Sequence, residues 1–126
     1  LQYSGLGEVI GNAVASAALP MVVVAFIVAA LVRISVGSAT VAMTMAAGIV
    51  AAMPGIAELS PLYLACVTAA VAGVATVCSH FNDSGFWLVK SLIGMDEKTT
   101  LKTWTIMETL VGGTGFLVAL IISFFA

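Results

Sequence analysis

The chain has 126 residues, 62% of them hydrophobic and only 8% charged, with a mean hydropathy of +1.22 and a formal net charge of -2. Soluble domains carry about a quarter charged residues, so this composition excludes an ordinary soluble domain and reads as a membrane protein. Its four Lys and Arg residues are scattered, which excludes a phosphate-binding face for nucleic acid and an electrostatic attachment to an anionic membrane surface.

Residues 1–18 are mildly polar, with Gly7, Gly11 and Ala15 four apart on one helix face, and are expected to form one arm of a hairpin. No basic segment leading to a cleavage site follows Leu1, so the chain is expected to begin inside a longer polypeptide rather than with a signal peptide. Residues 19–53 are apolar except for Pro20, which suits a first helical turn, and a central interruption, Arg33-Ile34-Ser35-Val36-Gly37-Ser38-Ala39-Thr40. As one helix this stretch would be roughly 50 Å long against a hydrocarbon core of about 30 Å. A discontinuous transmembrane helix, unwound around Gly37-Ser38, is the economical reading.

Residues 62–93 repeat the design, with Ser79-His80-Phe81-Asn82-Asp83-Ser84-Gly85 as the interruption and Ala65, Ala69 and Gly73 as a small-residue packing stripe. Irregular backbone at membrane depth is tolerated only where protein or a water-filled cavity surrounds it, so both interruptions are expected to face one interior. The hydrophilic stretch Gly94 to Thr103 reads as a loop in water. Its lysines tilt it toward the cytoplasm, and Trp87 and Trp104 bracket it as interfacial aromatics would. Residues 104–125 are the last expected span, in which Gly112, Gly113 and Gly115 permit tight helix packing.

Histidine, amide and carboxylate at membrane depth are costly unless they face one another, a cavity or a ligand, so the second interruption is the leading candidate site. His80 beside Asp83 can act as a proton relay, because an imidazole that titrates near neutrality can exchange a proton with a carboxylate. Ser38 and Thr40 offer hydroxyls at the start of the half-helix near Val41, where the positive dipole end suits a carboxylate; the plain alternative is hydroxyls bonded back to the preceding turn. Arg33 reads as a gating or charge-pairing group, and Glu108 as a second charge-pairing candidate or an interfacial residue beside Trp104. Cys66 and Cys78 read as small buried hydrophobes. Cys78, His80 and Asp83 lack the further ligand that a metal site needs, and no cofactor motif is visible.

The residues Ser79-His80-Phe81-Asn82-Asp83-Ser84-Gly85-Phe86-Trp87, Leu101-Lys102-Thr103-Trp104-Thr105 and Glu108-Thr109 closely resemble the C-terminal end of the gluconate permease family of proton symporters. Gly37-Ser38-Ala39-Thr40-Val41-Ala42 is similar to a further element of that family, so the resemblance covers essentially the whole chain. It implies an all-α membrane transporter of the ion-transporter superfamily, built from inverted repeats with re-entrant hairpins and broken helices, of which this chain is the last third and the preceding part is missing.

The expected function is proton-coupled symport of gluconate or a related sugar acid across the bacterial cytoplasmic (inner) membrane. D-serine in the same family, or an intramembrane enzyme using His80 and Asp83, are the alternatives. Substrate contacts are expected from Gly37, Ser38, Thr40, Ser79, Asn82 and Ser84, and proton coupling from His80 and Asp83. The partners are a small carboxylate substrate, protons, the lipid bilayer and the rest of the permease, with a homo-oligomer allowed and no nucleic acid.

Overall fold

The computed structural model describes residues 19–126, and the hairpin arm expected over 1–18 lies outside the described residues. Among the described residues the chain is all helix, without a strand. Helix α1, Met21–Val36, starts after Pro20, whose missing N–H suits a helix start; the proline sits at the N-cap, one position ahead of the first turn. It stops at Gly37, whose φ of 79° is the left-handed conformation that ends helices, with the Gly37 N–H donating to the Arg33 carbonyl. Helix α2, Ala39–Ala51, follows at once, capped by the Ser38 hydroxyl, and a 3-10 turn at Ile56–Glu58 leads on from it.

Helix α3, Pro61–Gly73, has Ser60 as N-cap and Pro61 in its first turn, and continues as a 3-10 turn, Val74–Thr76. Regular helix resumes only with α4, Ser84–Ile93, capped by Asp83 and closed by Gly94. Helix α5 runs from Glu97 to Ser123, 27 residues and about 40 Å, long and apolar enough to cross a bilayer. Most of the stretch read from sequence as a water-exposed loop therefore belongs to this helix. Asp96 explains the difference, because its carboxylate accepts the Thr99 N–H at 2.9 Å and starts the helix well before Trp104. Leu101–Thr105 within α5 is a π-helical turn.

The side-chain pattern decides how these helices assemble. Val22, Ala25 and Ala29 on α1, Ala46 and Val50 on α2, and Cys66, Val67, Ala70 and Val71 on α3 form one buried apolar cluster. Arg33 near the end of α1 bonds the Ala75 carbonyl just past α3, and α3 packs along α1, so these two helices run in parallel toward one end point. The short link 52–60 must return the end of α2 to the start of α3. Hence α2 lies back beside α1, and the pair forms a helical hairpin with Gly37-Ser38 at its tip. This corrects the expectation for 19–53: the two halves lie side by side instead of end to end, because small residues on α2, Ala42 and Ala46, let its backbone approach its neighbours.

Helix α5 packs antiparallel on α3, with Phe26 of α1 stacked on Phe116 at a centroid distance of 4.0 Å. Gly112 makes this approach feasible, since a Cβ there would lie 2.3 Å from the Gly73 carbonyl oxygen. Gly113 and Gly115 have open space around them, and of the stripe proposed on α3 only Gly73 meets a neighbouring helix at close range, with Ala65 and Ala69 exposed. Helix α4 packs on the first part of α5, tied to it by Lys90 Nζ and Glu97 Oε1 at 2.8 Å.

Candidate functional site

The hairpin tip meets the gap between α3 and α4, and Arg33 joins them. Its Nε donates to the Ala75 carbonyl at 2.8 Å, Nη1 donates to the Gly37 carbonyl, and Nη2 donates to Asp83 Oδ2 at 2.5 Å. Arg33 is 1% exposed, so its charge is held wholly inside the protein. A buried guanidinium is tolerable only when its N–H groups are taken and its charge is balanced, and these three partners do both.

Asp83 receives more than the arginine. Ser79 Oγ donates to Oδ2 at 2.5 Å, and the Gly85 N–H donates to Oδ1 at 2.9 Å in the N-cap of α4. Gly37 packs against this segment so closely that a Cβ there would be 2.2 Å from the Asn82 carbonyl oxygen, and Asn82 Nδ2 donates to the Ile34 carbonyl at 2.7 Å. Backbone from one interruption thus rests on backbone from the other. Arg33, Gly37, Ser79, Asn82 and Asp83, all named from sequence, are brought together.

Others are placed differently. His80 is half-buried and, among the described residues, its imidazole makes no hydrogen bond, so no contact joins it to the Asp83 carboxylate in this conformation. Ser38 caps α2 over a long 3.5 Å contact to the Val41 N–H, while Thr40 and Ser84 are exposed in the first turns of α2 and α4. Glu108 is half-buried on α5.

Three contributions from α5 were not foreseen. Trp104 Nε1 donates to Ser79 Oγ at 3.0 Å, Thr105 Oγ1 donates to the Ser79 carbonyl, and Thr109 Oγ1 accepts the Cys78 N–H at 3.0 Å. They hold a turn that the backbone resists: Cys78 has a φ of 54°, unusual for a residue with a side chain. Trp104 is therefore part of the centre and not simply an interfacial anchor. Thr105 and Thr109, one turn apart on the same helix face, were the available sequence signal.

A chain whose described residues are helical, with an apolar exterior and a buried ion pair where its helices meet, is a membrane protein organised around a charged site. Residues 1–125 match the family model described as GntP family permease, and the chain belongs to that family. It is 45% identical over 120 residues to the low-affinity gluconate transporter of Escherichia coli (strain K12), covering 94% of this chain and 26% of that protein. It is 40% identical over 123 residues to the gluconate permease of Pseudomonas aeruginosa, covering 98% of this chain and 27% of that one. A third relative, the Gnt-II system L-idonate transporter of Escherichia coli (strain K12), is 38% identical over 120 residues, with 95% and 27% covered. The chain spans about a quarter of the length of these curated relatives, less than the third that the resemblance implied. No solved structure matches it.

Proposed function

We propose that the whole protein is a secondary active transporter that carries gluconate or a related sugar acid with protons across the bacterial cytoplasmic membrane, and that this chain supplies one side of its central site. The observation that carries the reading is the buried Arg33–Asp83 pair at the junction of the hairpin tip and the α3–α4 gap. A guanidinium at membrane depth is the group best suited to a substrate carboxylate, and it is already engaged with a carboxylate of the protein. A sugar acid arriving at Arg33 competes with Asp83, and Asp83, once displaced, accepts a proton. Substrate and proton are then coupled through one cation.

In this reading α1–α2 is a re-entrant hairpin and α3–α4 a discontinuous crossing, paired with an inverted counterpart in the rest of the permease. The start of α2, with Gly37, Ser38 and Thr40, offers N–H groups and hydroxyls to a carboxylate, while Asn82 and Ser84 face the polyol; Ser79, expected from sequence as a further substrate contact, is 1% exposed and is engaged by Trp104 and Asp83 instead. His80 serves as the second proton-handling group. The names of the relatives favour gluconate or L-idonate over D-serine, and favour a carrier over an intramembrane enzyme.

The test is counterflow of labelled gluconate into proteoliposomes holding the full-length protein. Accumulation against unlabelled internal gluconate, competed by L-idonate and not by D-serine, is the expected result. A protein that accumulates no label under counterflow conditions and generates no proton movement with any sugar acid is not this transporter.

A further inference from the structure

The Ser79 hydroxyl lies between two side chains whose chemistry fixes where its proton must be. An indole N–H can only donate, so Ser79 Oγ accepts from Trp104 Nε1 at 3.0 Å. The carboxylate that pairs with Arg33 can only accept, so the same oxygen donates to Asp83 Oδ2 at 2.5 Å. Ser79 is 1% exposed, and water does not substitute for either partner. The order Trp104 to Ser79 to Asp83 is therefore a directed chain of two hydrogen bonds that ends on the carboxylate holding Arg33.

The backbone of α5 is adapted to this chain. Leu101–Thr105 is π-helical, and Trp104 and Thr105 both fall within it. Such a turn accommodates one more residue than an α-helical turn, changes the direction of the side chains it carries, and is frequent at functional sites. Here Trp104 and Thr105 both point at Ser79, one at its hydroxyl and one at its carbonyl. In a regular helix adjacent residues diverge by about 100°, whereas the wider turn lets both reach one neighbour.

We propose that Trp104 is a positioning residue for proton coupling: carried by the π-helical turn, it orients the Ser79 hydroxyl toward Asp83 and so holds Asp83 ready on Arg33 until substrate takes its place. The proposal rests on the carrier reading above. Trp104 touches neither Arg33 nor Asp83 through its hydrogen bond and acts only through Ser79. Exchange of bound substrate without net proton movement does not need that orientation, whereas concentrative uptake does.

The experiment uses the full-length permease in proteoliposomes, measuring labelled gluconate by counterflow and by uptake driven by an imposed proton gradient. Trp104→Phe keeps the ring and removes the N–H. Counterflow is expected to stay within about twofold of the parent while gradient-driven uptake falls about tenfold, a change in coupling of about 1.4 kcal/mol. Ser79→Ala is expected to give the same split, and the double variant no further loss than Ser79→Ala alone, because the two residues act in series. Unchanged gradient-driven uptake in Trp104→Phe, equal losses in both assays, or additive losses in the double variant overturn the proposal. If Trp104→Phe does not assemble, Ser79→Ala decides alone: uptake retained at the parental level overturns it. Absence of counterflow in the parent with gluconate, L-idonate and other sugar acids alike overturns the carrier reading and this inference with it.

Discussion

A guanidinium withdrawn from water loses hydration that only a balanced charge and a full set of acceptors can replace. Arg33 spends each of its three nitrogens on a different piece of chain: the end of α3, the hairpin tip and Asp83. Removing one partner is therefore worse than removing both. Arg33→Met should cost about 3–5 kcal/mol, the range for stranding one charge of a buried pair, and Arg33→Met with Asp83→Leu should be less damaging than Arg33→Met alone. Thermal unfolding in detergent, comparing the two variants with the parent, checks the order. Arg33→Lys does not rescue, because an ammonium lacks the fork that reaches three acceptors at once. Asp83→Asn keeps the shape and part of the hydrogen bonding but cannot carry the proton, so gradient-driven uptake should fall much further than substrate affinity; matched measurements of uptake and equilibrium binding test it.

Much of this centre was legible residue by residue, since Arg33, Ser79 and Asp83 announce themselves as polar groups inside apolar runs. Their pairing was not. Arg33 and Asp83 are 50 positions apart, and His80, adjacent in sequence to the cluster, looked the better partner for the carboxylate. Proximity in sequence is a poor guide where the backbone turns through a left-handed residue such as Cys78, which sends Ser79 inward and leaves His80 half-buried.

At the scale of elements, helix contacts depend on where a Cβ is missing. Gly112→Ala should destabilise by about 1–3 kcal/mol, as overpacking does, because the new methyl meets the Gly73 carbonyl, Thr76 and Val77. Gly115→Ala, with open space around it, should be neutral or stabilising by about 0.5–1 kcal/mol through helix propensity. Unfolding midpoints of the two single variants separate these cases. Composition and periodicity made the helices legible, but not that Gly112 and Gly73 form the contact while Gly113 and Ala69 do not, since that depends on helix rotation. They also hid the hairpin, because a helix pair folded back at Gly37 and one continued beyond it have the same sequence pattern.

The α4–α5 turn responds to acid. The hydrogen bond from Lys90 holds the Glu97 carboxyl below its ordinary range, and Thr99 does the same for Asp96. Groups lowered on folding contribute stability that is fully present above their ordinary values and is lost as pH falls through the lowered ones. Hydrogen exchange of the 94–100 backbone, compared between neutral and strongly acidic buffer with intrinsic rates corrected, should show the turn opening in acid while the α1–α3 core stays protected. Equal protection of this turn at both pH values counts against the pairing.

Among the described residues, the Arg33–Asp83 pair is held inside while many large apolar side chains lie outside. Leu31, Leu110 and Val118 are exposed while Arg33 is covered, the reverse of a soluble domain and the expected order in lipid. In a background without Cys66 and Cys78, Val118→Cys should resist a charged maleimide while Lys98→Cys reacts readily once both membrane faces are accessible. Rapid labelling at 118 would mean that this face of α5 is wet.

Thr109 and Thr105 have a consequence for how such a protein is made. The Cys78 N–H and the Ser79 carbonyl find their partners on α5, a helix synthesised after the segment that needs it. Until residues 104–109 have left the ribosome and entered the bilayer, these two backbone groups at membrane depth have neither regular helix nor side chain to satisfy them. The α3–α4 segment must therefore wait, in water or helically wound past Cys78, and take its final turn only when α5 arrives. A nascent chain arrested before Thr105 is expected to carry Arg33 and Asp83 without the contacts that hold the turn between them, and disulfide trapping of Cys pairs placed at positions 33 and 83 in arrested and released chains checks it.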